Sequence, residues 1–162
     1  MYRYAIEELF KWKEKPIRKP MIIQGARHVG KTWLMKEFGK KAYTHTVYIN
    51  FEDNASMEDF FSYDLDTKRL ITGMELYSGQ KIDPDNTLHI FDEIQEVPRA
   101  LSSLKYFCEN ASEYHIVCAC SFMGIALHQE TSFPVGKVDL MSLYPLTFKE
   151  FLMATAKVNI KM

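Results

Sequence analysis

Residues 22–41 read IIQGARHVGKTWLMKEFGKK: a short apolar run, a loop with a glycine at each end, then a lysine and a threonine at the mouth of an amphipathic segment. No other stretch narrows the fold as far. Gly25-Ala26-Arg27-His28-Val29-Gly30-Lys31-Thr32 satisfies G-x-x-x-x-G-K-[ST]. It lies between an expected strand, PMIIQG, and an expected helix, KTWLMKEF, whose Leu34, Met35 and Phe38 share one face. Glycine lets the backbone curl until successive N–H groups point inward, and a helix N-terminus adds a positive field. A loop of this kind, a P-loop, cradles phosphate. The pattern assigns Gly25, Ala26, Arg27, His28, Val29, Gly30, Lys31 and Thr32, with the following Trp33, as the segment that binds a nucleoside triphosphate. Lys31 is expected to reach the β and γ phosphates, and the Thr32 hydroxyl to bind Mg²⁺. Arg27 either lines the loop or faces water, and His28 reads as a solvent-facing loop residue rather than a ligand.

A second apolar run, NTLHIFDE, ends in Asp92 and Glu93. If both runs are strands of one parallel sheet, their following loops emerge at the same carboxyl edge. Asp92 would then take part in holding Mg²⁺, and Glu93 would orient and polarise an attacking water. Ser121 ends a further strand, YHIVCACS; beside the central strand it would hydrogen-bond the water or the γ phosphate as a sensor, and otherwise it is a plain strand-end serine. Glu93, Lys31 and Ser121 are thus the expected catalytic residues, and Thr32 and Asp92 the expected metal ligands. Gln95 and Glu96 read as a solvated turn.

The remaining pattern alternates strand and helix. Tyr2, Ile6, Leu9, Phe10 and Lys13 recur at helical spacing, closed by Pro16 and Pro20. HTVYINFE and GKVDLMSL are further strands. Ser56 and Asp59 suggest a capping box ahead of Phe60 and Phe61, and Leu70, Met74 and Tyr77 form a helical stripe. Pro98 opens a helix with Leu101, Leu104, Phe107 or Cys108, and Ala111 inward; TFKEFLMATA is the last helix. The expected fold is a P-loop NTPase α/β/α sandwich of three layers with a mainly parallel five-stranded sheet, preceded by an N-terminal helix. With 162 residues, of which 47% are hydrophobic, the chain reads as one domain, with the helix at 1–15 and the nucleotide-binding core at 16–156.

Charge divides the function classes. Residues 1–41 carry eleven Lys and Arg against four Asp and Glu, whereas the whole chain has a net charge of −1. The basic part reads as solvated helix faces, and the aromatics lie at core spacing rather than as a stacking platform, so nucleic acid is an unsupported partner. Cys108, Cys118 and Cys120 have neither disulfide-framework nor zinc spacing. Nothing resembles a signal peptide or a membrane span, and the expected location is the cytoplasm.

The segments IIQGARHVGKTWLMKEFGK, VYINFE, HIFDEIQEVPRALSSLKYF, YHIVCACSFMGIAL and SFPVGKVDLMSLYPLTFKEFL together resemble bacterial and archaeal AAA-type predicted ATPases whose ATPase domain precedes a C-terminal domain of unknown function. The resemblance implies ATP and Mg²⁺ as cofactors and the roles given above for Lys31, Thr32, Asp92, Glu93 and Ser121. It also implies a C-terminal domain that these 162 residues lack, where partner specificity would reside. Cys120 stands where the family usually has glycine, adding bulk near the γ phosphate. The expected activity is Mg-dependent hydrolysis of ATP to ADP and phosphate, with a nucleotide-operated switch of little turnover as the alternative. A second copy of the chain or another protein would be the macromolecular partner. Arg99 and Lys137 are available cations to which no role is assigned.

Overall fold

The structure, a computed structural model, describes residues 1–121 and 133–160, with side chains up to residue 156; the part of SFMGIAL beyond Ser121 lies outside the described residues. Five strands form one sheet: β1 (Met21–Gln24), β2 (His45–Asn50), β3 (Thr87–Asp92), β4 (His115–Cys120) and β5 (Asp139–Ser142). Their order is β2-β3-β4-β1-β5, and every pairing is parallel. Among the described residues the α-helices are α1 (Ala5–Lys13), α2 (Lys31–Ala42), α3 (Ala55–Tyr63), α4 (Thr67–Ser78), α5 (Pro98–Asn110) and α6 (Phe148–Ile160).

Side chains that alternate along a strand point to opposite faces, so a sheet covered on both sides needs two cores. Ile22, Phe91 and Cys118 enter a core with Met57 and Phe61 of α3, Leu70 and Met74 of α4, and Leu104 and Phe107 of α5. Their neighbours Ile23, Ile90 and Ala119 enter the other, with Leu9 and Trp12 of α1 and Leu34, Met35 and Phe38 of α2. The sheet is therefore the middle of three layers. β3 and β4 are buried at every position, which suits their apolar runs.

Several local expectations change. Trp12 is buried and Phe10 is 40% exposed, so the inward stripe of α1 is Ile6, Leu9 and Trp12. The cap of α3 is Asn54, whose side chain accepts from the Met57 N–H at 3.3 Å, rather than a Ser56–Asp59 box. On α4, Ile71 is buried and Tyr77 is exposed. On α5, Phe107 points inward and Cys108 is half-buried. Cys118 and Cys120 are fully buried hydrophobes, as small thiols commonly are.

At the amino end of the central strands, His89 and His115 are buried together. The Tyr43 hydroxyl and His115 Nδ1 share a hydrogen bond of 2.5 Å, and His89 Nδ1 donates to the His115 carbonyl at 3.2 Å. Burial depresses both imidazoles to about 4, aided at His115 by the Arg18 and Lys13 charges and opposed at His89 by that hydrogen bond. A depressed folded value means stability is complete above the ordinary value of 6.5 and is lost as pH falls toward about 4. Each histidine should cost about 2 kcal/mol between pH 7 and pH 5. Urea unfolding at those two pH values checks this: His89→Leu should remove one histidine's share, and an unchanged pH dependence in that variant would contradict it.

Candidate functional site

β1 runs directly into the glycine loop. The Gly25 N–H donates to the Cys120 carbonyl at 3.4 Å, and Leu143 N–H to the Gln24 carbonyl at 2.8 Å, so the loop's base is held between the ends of β4 and β5. A Cβ on Gly25 would lie 2.5 Å from the Leu143 carbonyl oxygen, which explains the glycine by close backbone approach. Gly30 has φ +97° and turns the chain into α2. The first turn of that helix has no side-chain cap and no acidic residue, leaving its N–H groups open to an anion.

The expected catalytic and metal-holding residues fall into three groups. Lys31 is 5% exposed, and its ammonium donates to the Gly25 and Ala26 carbonyls at 2.8 and 2.6 Å. Burial lowers its affinity for the proton, and the Glu93 and Asp92 charges oppose that shift. Thr32 donates to Asp92 Oδ2 at 2.6 Å, joining residues 60 apart in sequence. Ser121 is fully buried and donates to Glu93 Oε1 at 3.0 Å. β4, which ends immediately before Ser121, is itself the central strand, between β1 and β3, rather than a neighbour of it.

Arg27 and His28 are exposed. Arg27 pairs with Glu52 at 3.3 Å and approaches Glu96 at 3.9 Å on the rim. His28 adopts φ 66° and, like Trp33, lines the cleft above the loop. Val29 is buried in the core beneath. Cys120 packs in the opposite core and is not among the residues that line the cleft. Burial, reinforced by the Glu93 charge, raises its thiol to about 11. Arg99 and Lys137 do not line the cleft; Lys137 pairs with Glu109 at 3.3 Å. The basic first quarter is not wholly solvated either, because Arg3 and Lys31 are buried.

Two local features escaped the sequence. Gln95 is not merely a solvated turn residue: its amide donates to Glu93 Oε2 at 2.5 Å, and Glu93 itself sits at φ 53°, a left-handed turn off β3. Tyr48 of β2 donates its hydroxyl to Asp92 Oδ2 at 2.7 Å, and burial, then that bond, raises the phenol pKa. The available signal was alternation: Val47 and Ile49 are buried in one core, so Tyr48 must face the other side of the sheet.

Asp92 is 3% exposed, and while Oδ2 receives two hydrogen bonds, Oδ1 has no partner among the described residues. A buried carboxylate oxygen without a donor is costly unless something positive meets it. Among the described residues no group of three or more His, Cys, Asp and Glu is placed to hold a metal. One carboxylate and one hydroxyl beside a phosphate loop suit Mg²⁺, which retains waters and shares substrate phosphates. The whole cleft, about 500 Å³, is lined by Lys31, Thr32, Tyr48, Asp92 and Glu93 with the loop above them, a volume that suits a small ligand.

A profile of the AAA domain family matches residues 17–152. The chain belongs to the AAA domain family. Nucleotide binding comes with that membership. This AAA domain is similar in fold to AMPPCP-bound DnaA from Aquifex aeolicus, at 16% identity and a TM-score of 0.54, over 99% of this chain and 51% of that one. C. elegans PCH-2 shows 13% identity and a TM-score of 0.54 over 95% and 47% of the two chains. The Aeropyrum pernix ORC1 protein in complex with DNA shows 14% identity and a TM-score of 0.55 over 94% and 47%. The chain thus spans about half the length of each, and at these identities the likeness establishes the fold. No curated protein matches it. Among the described residues no helix is long and apolar enough to cross a membrane.

Tyr48→Phe removes one of two donors to Asp92 and keeps the ring. It should lower stability by about 1–2 kcal/mol in urea unfolding at neutral pH, since the acceptor is a buried carboxylate. An unchanged midpoint would show that the hydroxyl does not hold Asp92.

Proposed function

We propose that this AAA domain is a Mg-dependent ATPase core that hydrolyses ATP to ADP and phosphate. The observation that carries this reading is the hydrogen bond from Thr32 to Asp92, which brings the phosphate loop and the acid pair to one cleft. Lys31 would exchange the Gly25 and Ala26 carbonyls for β and γ phosphate oxygens, and the N–H groups at the start of α2 would add donors. Thr32 and Asp92 would hold Mg²⁺, which when bound neutralises charge on the phosphate oxygens. Glu93 would orient water against the γ phosphorus and accept its proton, with Ser121 fixing the carboxylate from the next strand. Neither Arg99 nor Lys137 lines the cleft, whereas Arg27 does, paired with Glu52 at the rim; a second copy of the chain or another protein would be the macromolecular partner. We place the protein in the cytoplasm.

A second reading rests on one observation. Both Glu93 oxygens are engaged, Oε1 by Ser121 and Oε2 by Gln95, which suits a nucleotide-operated switch in which the base is held away from water.

Phosphate release with Mg·ATP separates the two. The parent should turn over, and Glu93→Gln should lower kcat by roughly 100-fold or more while retaining ATP, the loss expected for a general base. Equal rates would remove Glu93 from the mechanism, and tight ATP retention without turnover in the parent would select the switch. Lys31→Ala should weaken ATP binding at least about tenfold, as loss of a charged phosphate contact does; unchanged affinity would overturn the phosphate-loop assignment.

A further inference from the structure

Arg3 lies upstream of residues 17–152 that match the family, yet it is 3% exposed and its guanidinium meets three separate parts of the chain. Nη1 donates to the carbonyl of Val29, inside the phosphate loop, at 2.9 Å. Nη2 donates to the carbonyl of Tyr144, just beyond β5, at 2.6 Å. Nε lies 2.8 Å from Glu150 Oε2 on the first turn of α6, an ion pair of two buried side chains whose angle lies outside hydrogen-bonding geometry, so charge rather than a hydrogen bond joins them. A Cβ on Gly30 would come within 3.1 Å of Nη1, so the group packs directly against the turn that starts α2.

Physical consequences follow from the geometry. The planar fork of arginine serves several acceptors in fixed directions, which an ammonium cannot do. Thr147 Oγ1 accepts from the Glu150 N–H at 3.2 Å and caps the start of α6, so the Glu150 carboxylate is left for Arg3 instead of closing a capping box. Removing either partner of a buried ion pair strands the other charge, so the pair holds its two segments together. The Val29 carbonyl and the first turn of α6 are therefore bound to one rigid group.

We propose that Arg3 is a positioning residue that links the phosphate loop to helix α6, so that nucleotide binding at the loop and docking of the first turn of α6 strengthen each other. The coupling rests on the nucleotide-binding reading above. By linkage it is reciprocal: whatever the loop gains from α6, α6 gains from nucleotide.

Amide hydrogen exchange on the whole chain tests it, with and without Mg·ATP, in the parent, Glu150→Gln and Arg3→Lys, and with ATP affinity measured alongside. In the parent, Mg·ATP should slow exchange at 26–31 and also at 148–152. In Glu150→Gln without nucleotide, loop amides at 26–30 should exchange roughly tenfold faster, ATP should bind roughly tenfold more weakly, and its protection of 148–152 should vanish, a coupling in the usual range. Amides of β3 and β4 should not change. Arg3→Lys keeps the charge but not the fork, and should show the same pattern to a smaller degree; it also serves if Glu150→Gln does not fold. Loop exchange and ATP affinity within twofold of the parent in both variants would overturn the proposal, as would acceleration of β3 and β4 in step with the loop. If Mg·ATP protects nothing in the parent, the nucleotide reading fails, and the nucleotide-free loop exchange alone decides whether Arg3 holds the loop to α6.

Discussion

The hydrogen bond from Thr32 to Asp92 depends on a single topological fact: β1 and β3 run parallel on either side of β4, so the loops that follow them open at the same edge. The glycine loop needs an apolar strand beneath it and a helix after it, and the acid pair needs a strand that ends at the same height. The register supplies both. Gly25 hydrogen-bonds to the carbonyl of Cys120, and Ser121, the next residue, reaches Glu93 at 3.0 Å. Three strand ends are thus joined by short polar contacts above a sheet whose two faces are apolar.

Electrostatics at this edge is a balance between burial and opposite charge. Lys31 and Asp92 are both almost fully buried, and a lone buried ion of either sign would be costly. Lys31 is compensated by two carbonyls and by the nearby acids; Asp92 has two hydroxyl donors on one oxygen and none on the other. The site is consequently polar inside and rigid at its base, while its rim is formed by exposed residues such as Arg27, Glu52 and Glu96. Rigid donors beneath a solvent-open cleft are what binding a polyphosphate demands.

Much of this was legible in the sequence because apolar period and glycine spacing are local signals. The strand before Gly25, the helix after Lys31, and the apolar runs before Asp92 and Ser121 all lie where the pattern put them. What could not be read was long-range or isolated. Tyr48 differs from any other strand tyrosine only once β2 is paired with β3, and Arg3 looks like one of many basic residues until its partners at 29, 144 and 150 are in place. Short caps failed for a different reason: Asn54 and Ser56 are both good capping residues two positions apart, and chain entry from β2 decided between them. On α1, Trp12 is buried one turn after Leu9 and its indole N–H donates to the Lys19 carbonyl at 2.7 Å, satisfying the polar edge that burial would otherwise strand, while Phe10 stays exposed, edge-on to Phe38.

In the proposed function, Thr32 and Asp92 would jointly hold the divalent cation of a bound nucleotide. Electron paramagnetic resonance of Mn²⁺ titrated into the protein with ATP tests it most directly, because Mn²⁺ reports its own immobilisation without any turnover. One tightly held ion per chain that needs ATP is expected, weakened by at least about tenfold in both Thr32→Ala and Asp92→Asn, the loss typical when a group that holds or orients a metal's shell is removed. Mn·ATP held equally well by the parent and both variants would contradict it.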